Sequence, residues 1–270
     1  MAALDHNAIG AAATLLWRHW VASTRIPELP AHCRPGDRSD GYAVQAAVAA
    51  LSGQRVIGWK IAATSLVGQA HIGVDGPLAG RLLSNRVTTI TKDRPAPGPT
   101  PLAGNALRVG EAEFAFRLRS SLPARERVYG VQEVLDAVEA LHPAIEIPDS
   151  RYDDFARVGA PQLIADTACA CWLFVGEATT ADWRQQDLAA HVVDTFLNNR
   201  PAERGVGANV LRDPRLALTW LANELRTYGR GLTAGDLITT GTCITPVRLT
   251  AGDTFRVDFG EFGGLQVQLG

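Results

Sequence analysis

At 270 residues, 46% of them hydrophobic, the chain is long enough to bury a sizeable core and reads as one large domain or a small lobe on a larger one. A formal net charge of -2 with scattered Lys and Arg offers no basic stripe for phosphates and no basic amphipathic helix for an anionic bilayer, which excludes nucleic acid and membrane as expected partners. No run approaches the ~20 apolar residues that span a bilayer, and no basic segment leads into an apolar one at the start, so a cytoplasmic location is expected. The four cysteines, Cys33, Cys169, Cys171 and Cys243, contain no CxxC pair and read as reduced, buried thiols. His32 beside Cys33 is too little for a zinc site.

In chain order, Ile9, Ala12, Ala13, Leu16 and Trp20 recur at helical spacing until the segment 25–30 breaks the pattern. A second helix is expected over 42–51, with Ser39 and Asp40 as its cap and Gly53 at its end. From Arg55 the period becomes two: Ile57, Trp59 and Ile61 share one strand face, and Val56, Lys60 and Ala62 the other. Residues 95–101, rich in proline, read as a loop into the main body. Strands are then expected at 107–118, 144–147, 163–175, 236–240, 254–259 and 265–269. Helices are expected at 131–141 and at 213–228, the latter with Asp213 as N-cap, Pro214 at N1 and Gly229 beyond its end. Residues 239–242 read as a hydroxyl-rich turn able either to hold a carboxylate or to cap itself.

Alternation in VGEAEFAFRL puts Glu111 and Glu113 on one strand face, with Phe114, Phe116 and Leu118 on the other. Side chains two apart on a strand stand roughly 7 Å from each other, close enough to converge on one hard cation. Glu146, between Ile145 and Ile147 and just before Pro148, is a third acid able to join them. Such oxygen ligands favour Mg²⁺ or Mn²⁺ over zinc. The same residues also fit the solvated face of an amphipathic strand, and Lys60 on its own fits a surface lysine; the pattern leaves both readings open. His71 is a candidate base if its segment folds over the acids. There is no GxSxG elbow and no phosphate loop.

With these residues on the page, the chain resembles the 2-oxopent-4-enoate hydratase and 4-oxalocrotonate decarboxylase family, a branch of the fumarylacetoacetate hydrolase superfamily. The resemblance rests on SDGYAVQ (39–45), GWKIAATS (58–65), GVDGPLAGRL (73–82), GEAEFAF (110–116), PAIEIPDSR (143–151), IADTACACWLFVG (164–176), DPRLALTWLANEL (213–225) and LTAGDLITTGT (232–242), in order along nearly the whole chain. It implies an α+β fold, a helical N-terminal lobe with the first strand (1–75) on a catalytic body of mixed sheets in a β-rich roll (76–270). It implies Glu111, Glu113 and Glu146 as ligands of Mg²⁺ or Mn²⁺, Lys60 over the substrate, and Asp75 with Lys60 as catalytic groups. Lys60, Thr240 and Thr242 become the expected substrate contacts. The implied partner is a small 2-oxo acid, in an enzyme built as a homo-oligomer, with a complex with a related hydratase or decarboxylase as a further expectation.

The implied activity is hydration of a 2-hydroxy-2,4-dienoate to a 4-hydroxy-2-oxo acid in aromatic-compound catabolism. Decarboxylation of a 4-oxalocrotonate-type acid is the alternative, followed by acylpyruvate-type C–C hydrolysis or a non-catalytic partner subunit. Two departures bear on the choice. Hydratases of the family tend to carry a second acid shortly after the GVD aspartate, where this chain has Leu78, and an ADNAS-like stretch is ADTAC here, with Thr167 and Cys169 in place of pocket groups.

Overall fold

The computed structural model describes residues 3–270. Asp5 caps α1 (His6–Ala22) by accepting from the Ala8 N–H at 2.8 Å, and the helix buries Ala12, Ala13, Leu16 and Trp20, the stripe its spacing predicts. Helix α2 (Arg38–Ser52) is capped by Asp37 rather than by Ser39 and Asp40. The Asp40 carboxylate is already committed to the N–H groups of Leu4 and Gly36. Gly53, in the left-handed region, ends α2 as expected. The two helices close over an apolar cluster completed by Leu29, Tyr152 and Ala165. Gln45 of α2 seats this lobe on the body by donating to the carbonyls of Ala79 and Ile164.

The remaining elements follow as β1 (Val56–Ala62), α3 (Leu66–His71), β2 (Leu78–Leu83), β3 (Val87–Thr89), β4 (Val109–Leu118), α4 (Val131–Asp136), β5 (Val138–Ile147), α5 (Ala160–Ala165) and β6 (Trp172–Val175). After them come β7 (Val192–Leu197), β8 (Arg200–Val206), α6 (Pro214–Thr227), β9 (Leu237–Thr242), β10 (Val247–Arg248), β11 (Thr254–Asp258) and β12 (Gly264–Gln268). One mixed sheet runs β2-β1-β9-β4-β5-β6-β3 with β10 paired to β4, and a second runs β12-β11-β7-β8. Parallel pairing occurs at β1–β9 and β3–β6. This is the α+β, mixed-sheet architecture with N-terminal helices that the sequence leads one to expect. Strand β1 sits between β2 and β9, so a division at 75/76 separates two paired strands, β1 and β2. Among the described residues no helix is long and apolar enough to cross a membrane.

Three expectations give way to long-range pairing or local backbone chemistry. The helix expected over 131–141 stops at Asp136, because Val138 to Leu141 pair with β4, and ladder formation outweighs helical spacing there. The strand expected over 163–175 is extended only at β6. Gly159, with φ 80, and Pro161 in the first turn start α5 there instead. Residues 239–242 form the end of β9, not a turn, since β1 and β4 pair on either side of it. Strands β2, β7 and β8 are additions to the expected set; β2 is buried along its whole length and β8 exposes its first five residues, so neither of these two alternates.

Candidate metal centre

Strands β4 and β5 bring the three acids together. Glu111 is directly opposite Glu146 in the antiparallel register, and Glu113 lies two residues along the same face. Ile145 and Ile147 enter the main core, which turns Glu146 to the other side. One carboxylate oxygen from each of Glu111, Glu113 and Glu146 lies within 4.8 Å of the others, and the three could hold a metal ion. They are not a solvated strand face. Glu113 is 0% and Glu146 1% exposed, with Glu111 half-buried at the opening.

The chemistry of this cluster fits a divalent ion. Oε1 of Glu113 and Oε1 of Glu146 are buried without a hydrogen-bond donor, and Oε2 of Glu146 meets only the Lys60 ammonium as an ion pair. Among the described residues the one cation paired with these acids is Lys60, whose Nζ is 3.2 Å from Glu146 Oε2. Three carboxylates against one ammonium leave two negative charges uncompensated, the charge of a single Mg²⁺ or Mn²⁺. The titration of the acids reflects the same shortage. Burial pushes Glu111 up to about 7, Glu146 adds to the rise and Lys60 opposes it. Burial, then Glu146, hold Glu113 well above the usual carboxylate range.

Lys60 is buried, contrary to the surface reading open to it in the sequence. Burial alone would lower its pKa, but Glu146, Glu111 and Glu113 together keep the ammonium more firmly protonated than an ordinary lysine. It donates to the Ala168 carbonyl at 3.1 Å. That carbonyl is aimed by three consecutive left-handed residues, Thr167, Ala168 and Cys169, with φ of 53, 50 and 64. Each such non-glycine residue costs roughly 1–2 kcal/mol, strain of the kind that gathers at functional sites. Arg151 pins the turn: it is ion-paired with Asp166, and its Nη2 donates to the Asp166 carbonyl at 2.7 Å. Gly80, beside Lys60 in β2, permits the close approach, since a Cβ there would sit 1.9 Å from the Thr167 carbonyl oxygen.

Gly241 supplies the second backbone contact. Its N–H donates to Glu113 Oε2 at 2.9 Å, and its φ of 95 and the neighbouring Thr64 side chain leave no place for a Cβ. The Gly241 N–H meets the expectation that residues 239–242 can hold a carboxylate, which is that of Glu113. The Ala168 carbonyl is not foreseen from residue types, since ADTAC, with no glycine, gives no sign of a left-handed turn.

The cluster opens into a cavity of about 690 Å³ with Lys60, Glu111, Ala168, Cys169, Gly241 and Thr242 at one end. Leu78 lines it, in the place of the missing acid. Thr242 lines it too, although its hydroxyl already donates to the Ile244 carbonyl at 3.1 Å. His71, on α3, reaches the wall. Two expected site residues stand elsewhere. Thr240 is fully buried with its hydroxyl donating to the Phe114 carbonyl, because β9 turns it toward β4. Asp75 is exposed in the turn before β2 and does not line the cavity, the following Pro77 and Leu78 being the residues that turn inward. Thr167 is buried with its hydroxyl accepting from Arg151, and burial pushes the Cys169 thiol up to about 12, an inert group.

Residues 94–269 match the family described as fumarylacetoacetate (FAA) hydrolase C-terminal. The 2-hydroxyhexa-2,4-dienoate hydratase of Comamonas testosteroni is 33% identical over 219 residues, covering 80% of this chain and 79% of that protein. A 4-oxalocrotonate decarboxylase of a Pseudomonas species is 32% identical over 213 residues, covering 79% of this chain and 78% of its own. In three dimensions the chain is similar to 4-oxalocrotonate decarboxylase from Pseudomonas putida G7, solved with magnesium and adipate, with a TM-score of 0.87, 23% identity and 100% of both chains covered. At that identity the likeness speaks for the fold.

Proposed function

This chain belongs to the fumarylacetoacetate hydrolase family and is an enzyme, and on that premise we propose that it is a metal-dependent hydratase, adding water to a 2-hydroxy-2,4-dienoate to give a 4-hydroxy-2-oxo acid. The observation that carries the reading is the trio Glu111, Glu113 and Glu146, the last two buried and the first half-buried, converging and short of two positive charges, at the end of a cavity. Mg²⁺ or Mn²⁺ bound there supplies a Lewis acid that polarises a 2-oxygen.

The chain's own residues do the rest. Lys60, held by the Ala168 carbonyl and beside Glu146, offers a fixed ammonium to a substrate carboxylate or a proton to the carbon chain. Thr242 offers a hydroxyl at the cavity wall. Assembly into a homo-oligomer and a cytoplasmic setting belong to the same proposal.

Decarboxylation of a 4-oxalocrotonate-type acid is the second reading, favoured by Leu78 and by the position of Asp75. Glu111 is the only carboxylate among the residues lining the cavity, so a water-activating acid apart from the metal trio is missing. Incubation with 2-hydroxypenta-2,4-dienoate or 2-oxo-hex-3-enedioate, in Mg²⁺ and in EDTA, with products identified by mass, separates the two. Gain of water supports the hydratase and loss of carbon dioxide supports the decarboxylase. If neither compound changes although metal binds, both lyase readings fall.

A further inference from the structure

We propose that Arg81 and Arg230 form a binding site for a small dianionic oxyanion of the phosphate type, on the face of the β1–β2 ladder opposite the metal centre and independent of the reading given to that centre. Arg81 of β2 pairs with Trp59 of β1, and its neighbour Gly80 pairs with Lys60. Side chains alternate across a strand, so Arg81 points away from the face that carries Lys60 and the acids. Its guanidinium lies over the Trp59 ring, 4.8 Å from the centroid. Helix α2 closes over it: Nη1 donates to Gln45 Oε1 at 3.0 Å, and Gln45 is itself fixed by the carbonyls of Ala79 and Ile164.

Arg81 is only 8% exposed, yet among the described residues neutral Gln45 is its one hydrogen-bond partner and no acid pairs with it. A buried cation is ordinarily matched by an opposite charge, whereas the strongest charge acting on Arg81 is a second cation, Arg230. Burial, then Arg230, push its guanidinium down to about 10, with Tyr42 opposing. Arg230 follows Tyr228 at the end of α6, and Tyr228 packs on Tyr42, one turn before Gln45 on α2, with 4.8 Å between ring centroids. Nε of Arg230 is itself buried without an acceptor. Glu224, an acid of this junction, is already engaged, its Oε1 accepting from Arg38 and from the Tyr42 hydroxyl. Two planar guanidinium forks with two uncompensated charges match a dianion that offers several oxygens, and the close packing around Arg81 suits a compact one. A single carboxylate would leave one of the charges unmet.

Calorimetric titration of the full-length, Mg²⁺-loaded protein with inorganic phosphate, at an ionic strength held constant with sodium chloride, tests this in the native chain, in Arg81→Met and in Arg230→Gln. Acetate and phenyl phosphate serve as comparison anions. The native protein is expected to bind phosphate about tenfold tighter than acetate or more, and each variant to lose about tenfold of the phosphate affinity while its Mg²⁺ affinity stays within about twofold. Equal binding of phenyl phosphate assigns the site to phosphate esters and binding of phosphate alone assigns it to the free ion; both results uphold the site. No phosphate binding in the native protein, acetate bound as tightly, or a phosphate affinity that either variant keeps overturns the proposal, since an anion held by the metal would ignore both arginines. Should Arg81→Met fail to fold, Arg230→Gln, at a half-buried position, decides together with the native titration.

Discussion

Glu111 and Glu146 face each other across β4 and β5 as a directly opposed pair of like charges, at a register position where two β-strands ordinarily avoid them. The neighbours on both strands are apolar core residues, so the pairing is fixed by burial of Phe114, Phe116, Ile145 and Ile147 and cannot slip to relieve the repulsion. Replacing Glu146 by Gln keeps the shape and removes one charge. Mg²⁺ affinity is then expected to fall by about a hundredfold or more, and the EDTA-treated variant to melt above the EDTA-treated native protein. Calorimetry and thermal melting read the two effects. Unchanged Mg²⁺ binding would show that the ion, if bound at all, sits elsewhere.

On the proposed reading, proton and metal compete for these acids. Glu111 has an ordinary value of 4.5 and is raised to about 7 in the folded, metal-free chain, so the fold binds its proton more tightly than the unfolded chain does. That contribution is complete below about pH 4.5 and lost as pH rises through about 7. Glu113 shifts in the same direction. The melting temperature of the metal-free protein should therefore fall between about pH 5 and about pH 8, and saturating Mg²⁺ should flatten the fall because it takes over the role of the protons. A metal-free melting temperature that climbs across that range, with Glu111→Gln climbing equally, contradicts the assignment.

The trio was legible because strand alternation is a local rule. Period two aligns Glu111 with Glu113, and two flanking isoleucines turn Glu146 the other way, so faces follow from neighbours alone. That the faces belong to adjacent strands, in register, depends on pairing between residues about thirty positions apart, which no local pattern states. The same gap explains the helix misplaced over 137–141 and the turn misplaced at 239–242, both of which are strands only because β4 lies beside them. Backbone groups are harder still. The Ala168 carbonyl takes its role from dihedral angles of Thr167, Ala168 and Cys169 that residue type scarcely records.

Gly80→Ala tests whether the left-handed turn matters. The added Cβ would meet the Thr167 carbonyl oxygen at 1.9 Å, backbone against backbone, with no flexible group to yield. A loss of about 2–3 kcal/mol in stability is expected, with a fall in turnover as the Ala168 carbonyl leaves Lys60. Gly76→Ala, four residues earlier with nothing within 4 Å of its Cβ, serves as the control and should melt like the native chain. Equal melting temperatures for the two variants would mean that the turn relaxes at no cost.

Lys60 poses the sharpest question about division of labour, because removing it affects metal and substrate in opposite directions. Its ammonium is the only cation paired with the acids among the described residues, so Lys60→Met leaves the trio more negative and should hold Mg²⁺ at least as tightly as before. A substrate carboxylate, however, loses the fixed charge that meets it, and the carbon chain loses a proton source. Turnover should fall by about two to four orders of magnitude while calorimetric Mg²⁺ binding persists. Lys60→Arg should not restore it, since the side-chain slot is 4% exposed and a longer planar guanidinium cannot occupy it without displacing the Ala168 carbonyl. Full turnover in Lys60→Met, with metal bound, would strip Lys60 of its part in the chemistry and leave it a counter-charge alone.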